Sequence, residues 1–144
     1  MVQKDIDEIR AFNRFYTSVI GLLNNHILDS NYSLPEVRVL YELYHHHCLT
    51  ASEIIAILHL DKGYLSRILK QFEKKKLVVK VRSENDGRSA HISLTNSGSI
   101  EFEKLNAASN EQIMNILSSL SQDESKKLLS HMKEVKIILQ KVKF

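Results

Sequence analysis

The chain has 144 residues, 43% hydrophobic and 26% charged, with 20 Lys or Arg against 17 Asp or Glu and a formal net charge of +3. That length suits one domain with a sizeable core. No run approaches the ~18 apolar residues of a membrane span, and the N-terminus MVQKDIDEIR lacks the apolar core and cleavage site of a secretory signal, so a soluble cytoplasmic protein is expected. The single Cys48 rules out an intrachain disulfide and a four-cysteine zinc site, and Gly21, Gly63, Gly87 and Gly98 are too scattered for a phosphate-cradling or dinucleotide loop.

In chain order, Ile6, Ile9, Phe12, Phe15, Tyr16, Val19, Leu22 and Leu23 recur near a 3.6-residue period and predict a long amphipathic helix over about 5–28. Ser33-Leu34-Pro35-Glu36 is a capping box opening a helix over 34–46, with Tyr32 placed to staple Val37. Thr50-Ala51-Ser52-Glu53 repeats the device for 51–58, with Leu49 facing Ile54. Asp61 caps 62–75, with Leu60 and Leu65 as its staple pair. The period then changes. Leu77-Val78-Val79-Lys80-Val81 is β-branched, Asn85-Asp86-Gly87-Arg88 carries turn chemistry, and His91-Ile92-Ser93-Leu94-Thr95 alternates, which predicts a hairpin. Two helices close the chain, over about 96–120 and 122–141, the second started by Ser121-Gln122-Asp123-Glu124.

Charge is unevenly spread. Between Asp61 and Arg88 stand nine Lys or Arg and four Asp or Glu, while the remainder is slightly acidic. Such a patch is either a solvated lysine-rich face or a footprint for a polyanion. The connection His59-Leu60-Asp61 has the length found in a helix-turn-helix, whose second helix enters the DNA major groove. Winding 62–75 at 100° per residue puts Leu65, Ile68, Leu69 and Phe72 on one side and Gly63, Ser66, Arg67, Lys70 and Lys74 on the other, flanked by Lys62, Tyr64 and Gln71. Arg67 has the fork that pairs bidentately with guanine, and Ser66 serves bases or backbone. Lys62, Gly63 and Tyr64 lie in the N-terminal part that reaches bases, and Lys70 and Lys74 are placed for phosphates. Thr50 and Ser52 can offer hydroxyls and amides to phosphate at the preceding helix start. Arg82 and Arg88 flank a turn that follows the basic helix as a wing would, suited to backbone or minor groove, with Asp86 and Gly87 shaping it.

Asp61-Lys62-Gly63-Tyr64-Leu65-Ser66-Arg67, Leu69, Phe72-Glu73-Lys74-Lys75, Leu77-Val78, Asp86-Gly87-Arg88, and Leu94-Thr95 followed by Gly98 together resemble the MarR-type winged-helix regulators. The resemblance implies a mainly α fold with a small β-hairpin wing. About 1–30 and 96–144 would supply dimerisation helices, and about 31–95 the DNA-binding lobe. It also implies a homodimer on a pseudo-palindromic double-stranded operator, often with a small-molecule effector, acting more often as repressor than activator. Members commonly have glycine where Lys76 stands, so this lysine either adopts a left-handed backbone or the helix ends differently. Ile9-Arg10-Ala11-Phe12-Asn13-Arg14-Phe15-Tyr16, Leu28-Asp29-Ser30 and Val39-Leu40-Tyr41-Glu42-Leu43 are similar to the regulator half of fused proteins that carry an acetyltransferase domain. Only the DNA-binding half carries over, because four scattered glycines leave no acetyl-CoA phosphate loop.

Leu128, Leu129, Met132, Val135, Ile138, Leu139 and Val142 extend an apolar stripe to the C-terminus, which a symmetry mate would bury. His45-His46-His47-Cys48 invites a metal reading, yet adjacent helical side chains point about 100° apart, so three imidazoles cannot face one ion. Two of them with Cys48, His26, His91 or His131 could. Helix-end histidines near the C-terminal dipole, with no metal or other cofactor, are the simpler expectation. The rivals are an accessory, non-catalytic module of an acetyltransferase system and a helical module docking an acidic protein. No nucleophile-and-base constellation marks an enzyme.

Overall fold

A computed structural model describes residues 2–21, 28–82 and 89–143. The elements run α1 (Gln3–Val19), α2 (Leu34–His46), β1 (Leu49–Thr50), α3 (Ala51–Leu58), α4 (Lys62–Lys74), β2 (Val78–Arg82), β3 (Ala90–Leu94), α5 (Asn96–Ser118) and α6 (Gln122–Leu139). The strands form an antiparallel sheet in the order β1-β3-β2, so the fold is a mainly α winged helix-turn-helix. Two compact units divide within α5, Met1–Leu105 and Asn106–Phe144. No helix among the described residues is long and apolar enough to cross a membrane.

All four start signals operate. Ser33 and Glu36, Thr50 and Glu53, and Ser121 and Glu124 exchange backbone and side-chain bonds as capping boxes. Asp61 Oδ2 accepts the Tyr64 N–H at 3.0 Å. Each satisfies amides that a helix start leaves without an intrahelical partner. The core of the first unit gathers Val39, Leu40 and Leu43 of α2, Ile54 of α3, Leu65, Ile68, Leu69 and Phe72 of α4, Val78 and Ile92 of the hairpin, and Phe102 and Leu105 of α5.

Two expectations are corrected. The first helix ends at Val19 rather than near residue 28: Gly21 takes a positive φ of 72°, and Leu28 and Asp29 stand at 55° and 50°, all left-handed and incompatible with helix continuation. Leu22 and Leu23 lie outside the described residues. The sheet also gains β1, in which Leu49 pairs with Ile92 and Thr50 with His91. Two residues are too few to show an alternation.

The end of α4 resolves the question of Lys76, which takes a φ of 60°. The Leu77 N–H donates to Phe72 O (2.8 Å) and the Lys76 N–H to Glu73 O (3.0 Å), the paired bonds of a Schellman ending, with Leu77 and Phe72 both buried. The Thr95 hydroxyl donates to Lys76 O (2.6 Å) and the Thr95 N–H to Leu77 O (2.9 Å), while Thr95 Oγ1 accepts the Gly98 N–H (3.0 Å) and so caps α5. A Cβ on Gly98 would lie far inside contact distance of the Leu77 carbonyl oxygen and 3.2 Å from Leu94 Cδ2. Only glycine lets α5 start against that peptide.

Substitutions at the two positions should therefore have opposite signs in urea denaturation. Gly98→Ala should cost about 3 kcal/mol, since the collision is with backbone that cannot step aside. Lys76→Gly should raise stability by about 1 kcal/mol by removing the left-handed penalty. A neutral Gly98→Ala would contradict the close approach.

Candidate nucleic-acid interface

The turn between α3 and α4 is short because His59 adopts left-handed geometry (φ 54°, ψ 40°) and returns its N–H to Ile55 O at 2.8 Å. Leu60 packs against the core, and Asp61 then caps α4. Leu65, Ile68, Leu69 and Phe72, each no more than 4% exposed, fix the rotation of α4 about its axis. Lys62, Gly63, Ser66, Arg67, Lys70 and Lys74 are consequently exposed, and Tyr64 is half-buried against the core. The Arg67 guanidinium carbon lies 5.8 Å from the centre of the Tyr64 ring, a cation–π contact that holds the side chain along the helix surface.

At the start of α3, Ser52 is exposed. The Thr50 hydroxyl is engaged with its own helix, accepting the Glu53 N–H (3.2 Å) and donating to Glu53 Oε1 (3.0 Å). Hydrogen bonds from the Thr50 N–H and hydroxyl hold the Glu53 carboxyl below the usual carboxylate range, with His91 and His46 adding smaller pulls the same way. Arg82 is exposed at the end of β2. Asp86, Gly87 and Arg88 lie outside the described residues.

Three other charges of the basic tract join this neighbourhood through pairings that no sequence signal marks. Lys80 Nζ on β2 meets Glu73 Oε1 on α4 at 2.8 Å, and Lys75 Nζ stands 5.2 Å from the centre of the Tyr32 ring. These partners are brought together only by the fold. Tyr32 itself packs edge-on to Phe72, and burial, followed by Glu101 and Glu36, raises its phenol above its ordinary value.

The histidine run disperses. His45 stacks among Tyr41, Tyr44 and Phe102, and His46 Nε2 reaches Glu42 Oε2 at 3.2 Å. His47 has φ 64° and ψ −43° and centres a γ-turn in which the Cys48 N–H donates to His46 O at 2.7 Å. Cys48 is exposed. Among the described residues, no three His, Cys, Asp or Glu are grouped to hold a metal ion. A cleft of about 340 Å³ is lined by Leu43, Tyr44, His47, Leu94, Ser99 and Glu103. The Tyr44 hydroxyl donates to Glu103 Oε1 across 3.2 Å there, and that bond pushes its phenol up.

Comparison with known proteins gives the same architecture a lineage. Residues 30–89 match the MarR family. The HTH-type transcriptional regulator PapX of Escherichia coli is 31% identical over 112 residues, covering 73% of this chain and 68% of PapX. The HTH-type transcriptional regulator MgrA of Staphylococcus aureus is 33% identical over 119 residues, covering 83% and 76%. The structure of FabT of Streptococcus pneumoniae in complex with DNA superposes with a TM-score of 0.78 over 99% of this chain and 100% of that one. At 19% identity it speaks for the fold alone. The chain belongs to the MarR family.

Proposed function

We propose that the protein is a homodimeric, sequence-specific DNA-binding transcriptional regulator, a repressor responsive to a small effector, without catalysis of its own and working in the cytoplasm. The observation that carries the reading is the exposed cationic face of α4, with Arg67 on a helix whose other side is locked in the core. A rigid, capped helix presenting Arg, Lys and Ser outward is what the major groove accepts. Its relatives PapX and MgrA, both named as transcriptional regulators, support the same reading. Arg67 and Ser66, with Lys62, Gly63 and Tyr64, approach base edges and nearby phosphates. Lys70, Lys74, Arg82 and Arg88 meet the backbone or the minor groove, and Asp86 and Gly87 shape the wing. Ser52 supplies a hydroxyl to phosphate, and Thr50 contributes by holding the start of α3. The cleft beside Tyr44 and Glu103 has room for a small effector.

Apolar surface that the chain leaves open supports the dimer. Ile9, Phe12 and Phe15 of α1 are 56–66% exposed, and Met132, Val135, Ile138 and Leu139 of α6 are 43–62% exposed. Patches of this kind mark association surfaces. A twofold dimer would set two copies of α4 about 34 Å apart, one helical turn of DNA.

Two measurements test these assignments. On a duplex selected by the protein from random sequence, Arg67→Ala should cost about 1–3 kcal/mol and relax base preference. Lys74→Ala should weaken all sequences alike and reduce the salt slope by about one. Equal losses with preference unchanged would mean the reading face is misassigned. Sedimentation at micromolar concentration should give a dimer that Ile138→Glu shifts toward monomer, and a monomeric wild type would overturn the dimer.

A further inference from the structure

The ion pair between Glu73 and Lys80 does not fit a surface built only to attract phosphate. Glu73 follows Ser66 by seven residues, two helical turns, and so lies along the flank of α4 that carries Lys62 and Ser66. It is the only acidic residue of α4, on a helix that also holds Lys62, Arg67, Lys70 and Lys74. A bare carboxylate here would repel a backbone lying against those cations. Lys80 approaches from the next element, its ammonium 2.8 Å from the carboxylate, with both side chains 40% exposed. Lys80 thus stands within the basic tract, yet its charge is directed at Glu73.

We propose that Glu73 is a charge-limiting residue of the DNA-binding surface that occupies Lys80 and so holds down sequence-independent attraction to the phosphate backbone. The inference rests on the DNA-binding reading given above. Generic binding is almost wholly a count of cations that displace counterions, whereas discrimination comes from base-edge contacts. One carboxylate that neutralises one lysine lowers the first without touching the second. Affinity for any duplex is thereby held down, and base-edge contacts carry a larger share of the binding that remains.

The test compares wild type, Glu73→Gln, Lys80→Ala and the double variant on two probes: a duplex selected from random sequence by the wild type, and an unselected random-sequence duplex of equal length. Affinity is read across a KCl series, with thermal melts to show that each variant is folded. Glu73→Gln should bind the unselected duplex about three- to tenfold tighter and steepen its salt slope by about one per protomer. Binding of the selected duplex should tighten by a similar factor, because the backbone contribution is common to both probes. Lys80→Ala should bind both probes more weakly than wild type, and adding Glu73→Gln should restore that loss. Unchanged or weaker binding of the unselected duplex by folded Glu73→Gln overturns the proposal, because Glu73 then positions the hairpin or does nothing. Wild type that binds neither duplex sinks the DNA-binding reading itself, an outcome distinct from the first.

Discussion

The backbone of Leu77 joins three elements at one point, and the geometry of the candidate interface depends on it. Its N–H closes the end of α4 on Phe72, its carbonyl accepts the Thr95 N–H, and Gly98 of α5 lies against the same carbonyl. The recognition helix, the strand pair behind it and the start of α5 therefore cannot rotate independently. A wing is useful only if its angle to the recognition helix is fixed before DNA arrives, since ordering it on binding would cost conformational entropy. The left-handed Lys76 is the strained residue that makes the turn tight enough.

The same junction separates what was legible in the sequence from what was not. Helix starts were readable because a capping box is local: Ser33 with Glu36, Thr50 with Glu53 and Ser121 with Glu124 each act across three residues. Both faces of α4 were readable because periodicity is local too. The left-handed residues at His59, Leu28 and Asp29 carried no glycine to announce them, and β1 exists only because Ile92 and His91 come from more than forty residues away to pair with it. Caps contribute about 1 kcal/mol each, while burying a side chain such as Phe72 contributes about 2–3 kcal/mol. Local signals thus set where helices begin, and long-range burial decides how they end and meet.

The candidate site divides along the same line. Arg67, Lys70 and Lys74 were identifiable because the buried face of α4 dictates what faces out. The histidine run was not interpretable beforehand, because its fate depends on partners elsewhere. Phe102 of α5 draws His45 into an aromatic cluster, Glu42 takes His46, and a γ-turn isolates His47 from both. Sequence adjacency suggested a cluster, and backbone geometry disperses it.

Counting cations in the tract overstates the charge available to a polyanion. Lys75 faces the Tyr32 ring and Lys80 faces Glu73, so two of the positive charges have partners within the protein. Arg67 rests beside Tyr64, a contact that narrows its rotamers while leaving the guanidinium exposed. An exposed ion pair adds little to folding, with a median near 0–1 kcal/mol, so stability alone is a weak reason to hold Lys80 at Glu73. Its effect on the electrostatic surface is larger, because each cation withdrawn from phosphate changes the salt dependence of association by about one counterion. On the proposed reading Arg67 discriminates among sequences while the Glu73–Lys80 pair holds down a flanking charge, and a regulator that must leave generic DNA to find one site requires both.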